Sequence, residues 1–165
     1  MALTQTAAEI AAILIWGFAA TAALSAVMFG AQRMGYSRLS LPFLIGTAFT
    51  GDRSAAQALG LVFYLLGGWL FAFIYYFIFA SIGRTGWEIG LLIGAVQGAV
   101  LLVMMLPLLP HVHPRMASEY EGPIRGRRLQ PPGFLALNYG YRTPLTTIAA
   151  HAIYGLILGA RLHLT

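Results

Sequence analysis

The sequence lacks cysteine and lysine altogether and has few charged residues of either sign. Without cysteine, the chain can form no disulfide, thiolate metal site, cysteine nucleophile or cysteine-held iron–sulfur cluster. Charged residues make up only 9% of the 165 residues, whereas a typical soluble domain has about 25%. With 59% hydrophobic residues, such a chain cannot cover a water-facing surface. The composition therefore predicts a single integral membrane domain.

Catalytic and nucleotide-binding motifs are also missing. The sequence contains no G-x-S-x-G, Walker A, dinucleotide fingerprint or H-E-x-x-H pattern. Its five acidic residues avoid the middle of every apolar run, which argues against a carboxylate proton relay. The net charge of +5 comes from loop arginines, a pattern typical of membrane orientation rather than nucleic-acid binding. The sequence thus favours a non-catalytic protein that requires no cofactor and binds no nucleic acid.

Four apolar runs are each long enough to cross a hydrocarbon core of about 30 Å, which needs about 20 helical residues. They cover residues 7–30, 55–82, 87–109 and 144–162. These runs predict an all-α, polytopic fold in which four transmembrane helices form one bundle. The only early side-chain charge is the acidic Glu9, so no basic segment precedes the first run, and the run is long for a signal core. It therefore predicts a retained helix and not a signal peptide.

The connections between the runs predict the topology. Only residues 83–86 separate the second and third runs, which predicts a tight antiparallel hairpin. The long loops 31–54 and 110–143 hold eight of the ten arginines, so the positive-inside rule places both loops in the cytoplasm of a bacterial inner membrane and both termini outside. The apolar segment 41–49 is too short to span. It is predicted to lie at the interface, to re-enter the membrane or to pack under the bundle.

Small residues at four-residue spacing predict close helix packing. Gly90, Gly94 and Gly98 form two overlapping GxxxG steps in the third run, and Gly155 and Gly159 form another in the fourth. In lipid, helices associate through close backbone approach at such positions because little hydrophobic drive remains. The glycine faces predict either packing within the bundle or docking of another protein, and the two are compatible.

His151 is the most notable candidate for chemistry. It lies about seven residues into the fourth run, roughly 10 Å deep, and ionisable residues at such depth usually face the bundle interior or a cavity. Gln97, near the middle of the third run, lies at a similar depth. A His151–Gln97 hydrogen bond is therefore predicted, either as a polar contact between helices or as part of a ligand, proton or metal site.

His111 and His113 form an H-x-H pair just past the third run. Such a pair can chelate a transition metal if a third ligand joins it, and Glu119 and Glu121 are the acidic residues that follow. With no third ligand at a fixed spacing, ordinary loop histidines are the favoured interpretation. A bis-histidine haem is disfavoured, since only His151 is placed inside the bundle.

Four segments resemble a bacterial family of small four-helix integral membrane proteins of unknown function. They are GGWLFAFIYYFIFA, GLLIGAVQGAV, MLPLLPHVHPRM and HAIYGLILG, and the resemblance covers residues 55–162. It implies the four-helix fold and supplies no activity. The second helix of that family often carries a histidine shortly after Gly-Trp, whereas here Leu70 and Phe71 follow. A shared site with two histidines therefore lacks one of them.

Three functions remain open at this stage. The first is an accessory or structural subunit of a larger membrane complex, respiratory or photosynthetic, or a homo-oligomer, because surplus small-residue faces and an Arg-rich loop suit a partner. The second is a binding protein for a lipid, quinone or metal near His151 and Gln97. The third is a channel or transporter, which ranks last because the runs offer too few polar residues to form a path.

Overall fold

A computed structural model of the protein describes residues 2–118 and 122–164. In this part of the chain, helices dominate. They are α1 (Ala2–Arg33), α2 (Leu41–Phe49), α3 (Arg53–Ile82), α4 (Trp87–Val100), α5 (Leu106–Val112) and α6 (Thr143–Arg161). A π-helical segment, Leu101–Met105, joins α4 to α5, and a short 3₁₀ segment, Phe134–Tyr139, precedes α6.

Four helices are long and apolar enough to cross a membrane, as the sequence predicts. They are Gln5–Arg33, Arg53–Ile82, Trp87–Val112 and Thr143–Arg161. The third of these, called the third span below, consists of α4, the π segment and α5. It therefore reaches Val112, three residues beyond the predicted end, and the π segment interrupts it.

The ends of α3 follow from local chemistry. Asp52 precedes the helix, and its side chain accepts a hydrogen bond of 2.8 Å from the backbone N–H of Ala55. This bond and a second one from the Ser54 hydroxyl lower the pKa of the Asp52 carboxyl, because both favour its charged form. At the other end, Gly83 adopts a left-handed conformation with φ 65°, which favours glycine and stops the helix.

α4 and α6 cross with their backbones in contact. A Cβ atom added at Gly90 would overlap the carbonyl oxygen of Gly155, and one added at Gly94 would overlap that of His151. A Cβ atom added at Gly159 would likewise overlap the carbonyl oxygen of Gly86. Only glycine permits this approach at these positions, so the small-residue faces of the two helices meet each other within the chain.

α1 packs between α3 and α6. Gly17 faces Ala72, and Gly68 faces Thr21, at separations that leave no room for larger side chains. The indole N–H of Trp69 donates a 2.9 Å hydrogen bond to the carbonyl oxygen of Leu14. Interhelical bonds of this kind contribute about 1 kcal/mol each in a membrane, so they fix the rotation of α3 rather than dominate its stability.

The sequence predicts that the second and third spans pack together as a tight antiparallel hairpin, and this prediction is wrong. Although residues 83–86 join them, α3 and α4 diverge beyond the turn. Within the described part of the chain, α4 packs on α6, while α3 packs on α1 and α2. The reason is that the glycine face of α4 matches α6, whereas α3 reaches α4 through the long side chain of Tyr75. The bundle therefore opens between the two helices.

The short segment 41–49 forms α2, which runs antiparallel to the start of α3. Gly46 lies against Ala56, and the carbonyl oxygen of Pro42 lies against Gly60. Gly60 is about 10 Å along α3 at 1.5 Å per residue. The structure shows this segment packed along the start of α3. The interfacial and re-entrant positions in the membrane stay predictions.

The two long loops contact each other at one end of the bundle. The backbone N–H of Arg38 donates to the carbonyl oxygen of Tyr139 at 2.7 Å, and the hydroxyl groups of Ser37 and Thr143 lie 2.9 Å apart. Thr143 is the first residue of α6, and its hydroxyl bonds across the loops. Burial raises the pKa of Tyr139 to about 12, so its hydroxyl stays protonated and donates to Gln130.

Candidate functional site

A cavity of about 490 Å³ fills the space where α3 and α4 diverge. α1 and α6 form its inner wall through residues such as Leu24 and Tyr154, and α2 and His113 lie on its loop side. Binding sites for small molecules typically enclose about 300–1,000 Å³. The cavity is therefore large enough to hold the body of a small apolar molecule.

Apolar side chains make up most of the walls, and several belong to the outer surface of the bundle. The lining residues that are also exposed are Phe49, Phe63, Phe71, Val100 and Met105. They come from α2, α3 and the third span. Because the exposed residues lie on both sides of the gap, the cavity opens sideways, where a surrounding bilayer would lie.

His151 lies at the inner wall of the cavity, with only 5% of its surface exposed. Its Nδ1 lies 2.8 Å from the carbonyl oxygen of Thr147, one turn earlier in α6. A carbonyl oxygen can only accept, so Nδ1 carries the proton and donates it. In the neutral ring, Nε2 is then an acceptor, and the hydrogen bonds among the described residues include none to it.

Gln97 lines the same cavity from α4, but it does not bond to His151 as predicted. Its Oε1 instead accepts a 2.8 Å hydrogen bond from the hydroxyl of Tyr75. This bond spans the gap between α3 and α4, while His151 bonds within its own helix. The hydrogen bonds among the described residues include none from the amide nitrogen of Gln97. The structure thus brings the two predicted residues to one cavity without joining them.

Two tyrosines that the sequence patterns did not single out belong to the same region: Tyr154 lines the cavity, and Tyr75 bonds to Gln97. Tyr75 is buried in α3, and Tyr154 is buried in α6, with their rings edge to face and 5.5 Å apart. The Tyr154 hydroxyl donates a 2.6 Å bond to the carbonyl oxygen of Gly68. Its position three residues after His151 places both on one helix face, which was a usable signal for Tyr154. Tyr75 offered none, because aromatic residues surround α3.

His113 and His111, the H-x-H pair, are separated by their environments. His113 is 4% exposed, and its Nε2 donates to the carbonyl oxygen of Leu44 at 3.0 Å while Nδ1 accepts the N–H of Arg115 at 3.2 Å. Both ring nitrogens are therefore occupied. His111 is exposed. Among the described residues, no three potential metal ligands of the His, Cys, Asp or Glu type lie together. Glu119 and Glu121 lie outside the described residues.

His113 instead holds α2 against the end of the third span. Arg115 supports the same contact, since its guanidinium donates to the carbonyl oxygens of Thr47 and Ala48 at 2.8 and 3.1 Å. These are the carbonyls at the end of α2, which an arginine side chain stabilises by hydrogen bonding and charge. The loop-side wall of the cavity is therefore tied to the third span by His113 and Arg115.

The π-helical segment begins four residues after Gln97 and contributes Leu101 and Met105 to the cavity wall. Such segments are rare and often lie at functional sites, because the wider turn displaces side chains from their α-helical positions. Here the wide turn lies in the helix that forms one side of the opening.

The lack of charged side chains along the described cavity wall restricts the kind of ligand that can bind. Among the residues that the structure describes, no Arg, Asp or Glu lines it. An ionised ligand head would therefore lose its hydration without gaining a counter-ion, which is costly in a membrane. The site suits an uncharged ligand.

Comparison of the chain with family models, curated proteins and solved structures gives no match.

Proposed function

We propose that this protein binds an uncharged, lipid-like small molecule in the cavity between α3 and the third span. The observation that carries the proposal is the cavity of about 490 Å³, which has apolar walls, a sideways opening and unpartnered polar atoms at His151 and Gln97. Apolar pockets with a few convergent polar groups are the usual form of small-molecule sites. The apolar walls fit the body of a quinone-type molecule or another lipid, whereas a metal ion finds no ligand set among the described residues.

A cavity-filling variant tests the proposal. Gly67 lines the cavity, and a Cβ atom added there meets no atom within 4 Å. Gly67→Leu should therefore occupy the cavity without disturbing the fold. Gly30→Leu is the matched control, because Gly30 is also helical with open space around it, and it does not line the cavity.

The measurement is the small-molecule content of protein purified in mild detergent, determined by native mass spectrometry and lipid extraction. The wild type and Gly30→Leu should carry a bound small molecule that Gly67→Leu has lost. Equal bound content in all three proteins would refute binding in this cavity.

The predicted role as an accessory subunit or homo-oligomer is the second candidate, favoured by the exposure of α3. Only 11% of an apolar 18-residue stretch of α3 is buried within the chain, compared with 44% of the corresponding stretch of α6. A helix this uncovered offers a broad apolar and aromatic face to a protein partner as well as to lipid. Purification in mild detergent should then yield a large complex or oligomer, whereas a monodisperse monomer would exclude this role.

We also propose the orientation in which both long loops face the cytoplasm of a bacterial inner membrane, with the termini outside. Eight of the ten arginines in these loops support it. Because the chain has no cysteine, a single introduced cysteine is a clean reporter. In intact cells an impermeant maleimide should label His163→Cys but not Arg125→Cys, and the reverse pattern would invert the orientation.

A further inference from the structure

The hydrogen-bonding groups at the inner wall narrow the class of ligand, an inference that rests on the proposed function. His151 offers an acceptor, because its Nδ1 donates to Thr147 and Nε2 keeps a free lone pair. Gln97 offers a donor, because its oxygen is held by Tyr75 while its amide N–H groups are unpartnered among the described residues. His151 and Gln97 thus offer one acceptor and one donor at the cavity wall.

From this pair we infer that the ligand carries a hydroxyl head on an apolar body. A hydroxyl group donates one hydrogen bond and accepts others, so it can donate to His151 and accept from Gln97. A ketone, an oxidised quinone or an ether accepts only, and would leave the His151 acceptor unpaired. A carboxylate or phosphate head is disfavoured because no charged side chain lines the cavity within the described residues.

Two sources share this chemistry: a long-chain or prenyl alcohol, and a quinol with its aromatic diol. Both place a hydroxyl on a long apolar body that can enter sideways from a bilayer. The apolar walls hold the body, and the polar pair sets the position of the head. If a ligand cannot form a hydrogen bond to a buried protein group that has no other partner, its binding affinity falls about tenfold or more.

The test is photolabelling of the protein in phosphatidylcholine nanodiscs with a long-chain primary alcohol that carries a diazirine in its chain. Mass spectrometry of the digested protein should find the label on cavity-wall residues such as Leu101 and Met105. Unlabelled alcohol should compete at least tenfold better than its methyl ether or the methyl ketone of equal length. A decyl-substituted hydroquinone and its oxidised quinone are tested as a second pair of competitors. Comparing the hydroquinone with the alcohol tells whether the site prefers a quinol or a long-chain alcohol.

Two variants assign the preference to named atoms. In His151→Phe the acceptor is gone, so alcohol and ether should compete equally. In Gln97→Leu the amide donor is removed for both competitors, so alcohol and ether should both bind more weakly while the alcohol keeps its advantage. His151 packs tightly against Gly98. If His151→Phe fails to fold for that reason, the wild-type ratio together with Gln97→Leu decides.

The outcomes separate the two proposals. Labelling of the cavity with equal competition by alcohol, ether and ketone would overturn the hydroxyl inference while leaving the binding function in place. If the cavity residues are not labelled, or if Gly67→Leu does not reduce their labelling, the binding function itself fails. Labelling with a tenfold preference for the hydroxyl form, lost in His151→Phe, supports both.

Discussion

The close contact between α4 and α6 predicts that two glycine-to-alanine variants change the free energy of unfolding in opposite directions. At Gly94 an added Cβ atom would overlap the carbonyl oxygen of His151 and lie 2.8 Å from its carbonyl carbon. At Gly67 the same atom would meet nothing within 4 Å. The two substitutions have the same chemistry and both lie inside helices, so their difference isolates the packing.

The magnitudes follow from three terms. Alanine gains about 1 kcal/mol over glycine inside a helix, at either position. At Gly94 the added methyl group forces the helices apart, and overpacking of this kind costs about 1–3 kcal/mol. A gap of about 0.5–1 Å also forfeits a quarter to a half of each dispersion contact along the interface. We therefore expect Gly94→Ala to destabilise by about 1–2 kcal/mol and Gly67→Ala to stabilise by up to about 1 kcal/mol.

Reversible unfolding by titration of sodium dodecyl sulfate into mild-detergent micelles, followed by far-UV circular dichroism, measures both free energies. The two variants should differ by about 2–3 kcal/mol. If Gly94→Ala is as stable as Gly67→Ala, the backbones of α4 and α6 do not touch as described, and the reasoning is refuted.

Three further predictions concern single contacts. His113→Ala should free α2 and raise the hydrogen-exchange rate of its amides about tenfold, since a buried hydrogen-bonded contact worth about 1–2 kcal/mol is lost; His111→Ala is the exposed control and should change nothing. Tyr75→Phe should destabilise the protein by about 1 kcal/mol by removing the bond to Gln97, and no change in the unfolding titration would contradict that bond. The cap hydrogen bonds lower the pKa of Asp52 below its ordinary value of 3.8. The stabilisation of the fold by this carboxylate is therefore present above pH 3.8 and is lost as the pH falls through the lower pKa of the folded state. Asp52→Asn keeps a capping side chain and should remove this acid sensitivity from the free energy of unfolding measured across that range.

Much of the fold could be predicted because its causes are local in the sequence. Length and apolarity identify a spanning helix without reference to any other segment, and the four predicted spans are confirmed as helices. Their ends were predicted within a few residues. The largest differences are at α1, which begins at Ala2 and ends at Arg33, and at the third span, which α5 extends to Val112.

Neighbour relationships between helices were harder to predict. A four-residue turn limits how far apart two helix ends lie, but it does not make the helices pack along their length. Whether they do depends on the facing surfaces. The glycines of α4 match those of α6, while α3 reaches α4 through the long side chain of Tyr75, whose hydroxyl bonds to Gln97. The cavity exists because of this mismatch, and no single segment encodes it.

By itself the sequence determined that the chain forms four apolar helices, that its small residues would permit close contact, and that His151 and Gln97 lie at similar depth. Each of these depends on spacing along one helix. The tertiary structure alone decided which faces meet, and so replaced the expected His151–Gln97 bond with two separate bonds to Thr147 and Tyr75. The physical reason is that a hydrogen bond needs its atoms about 3 Å apart, a separation that three-dimensional packing sets and that depth in a helix does not.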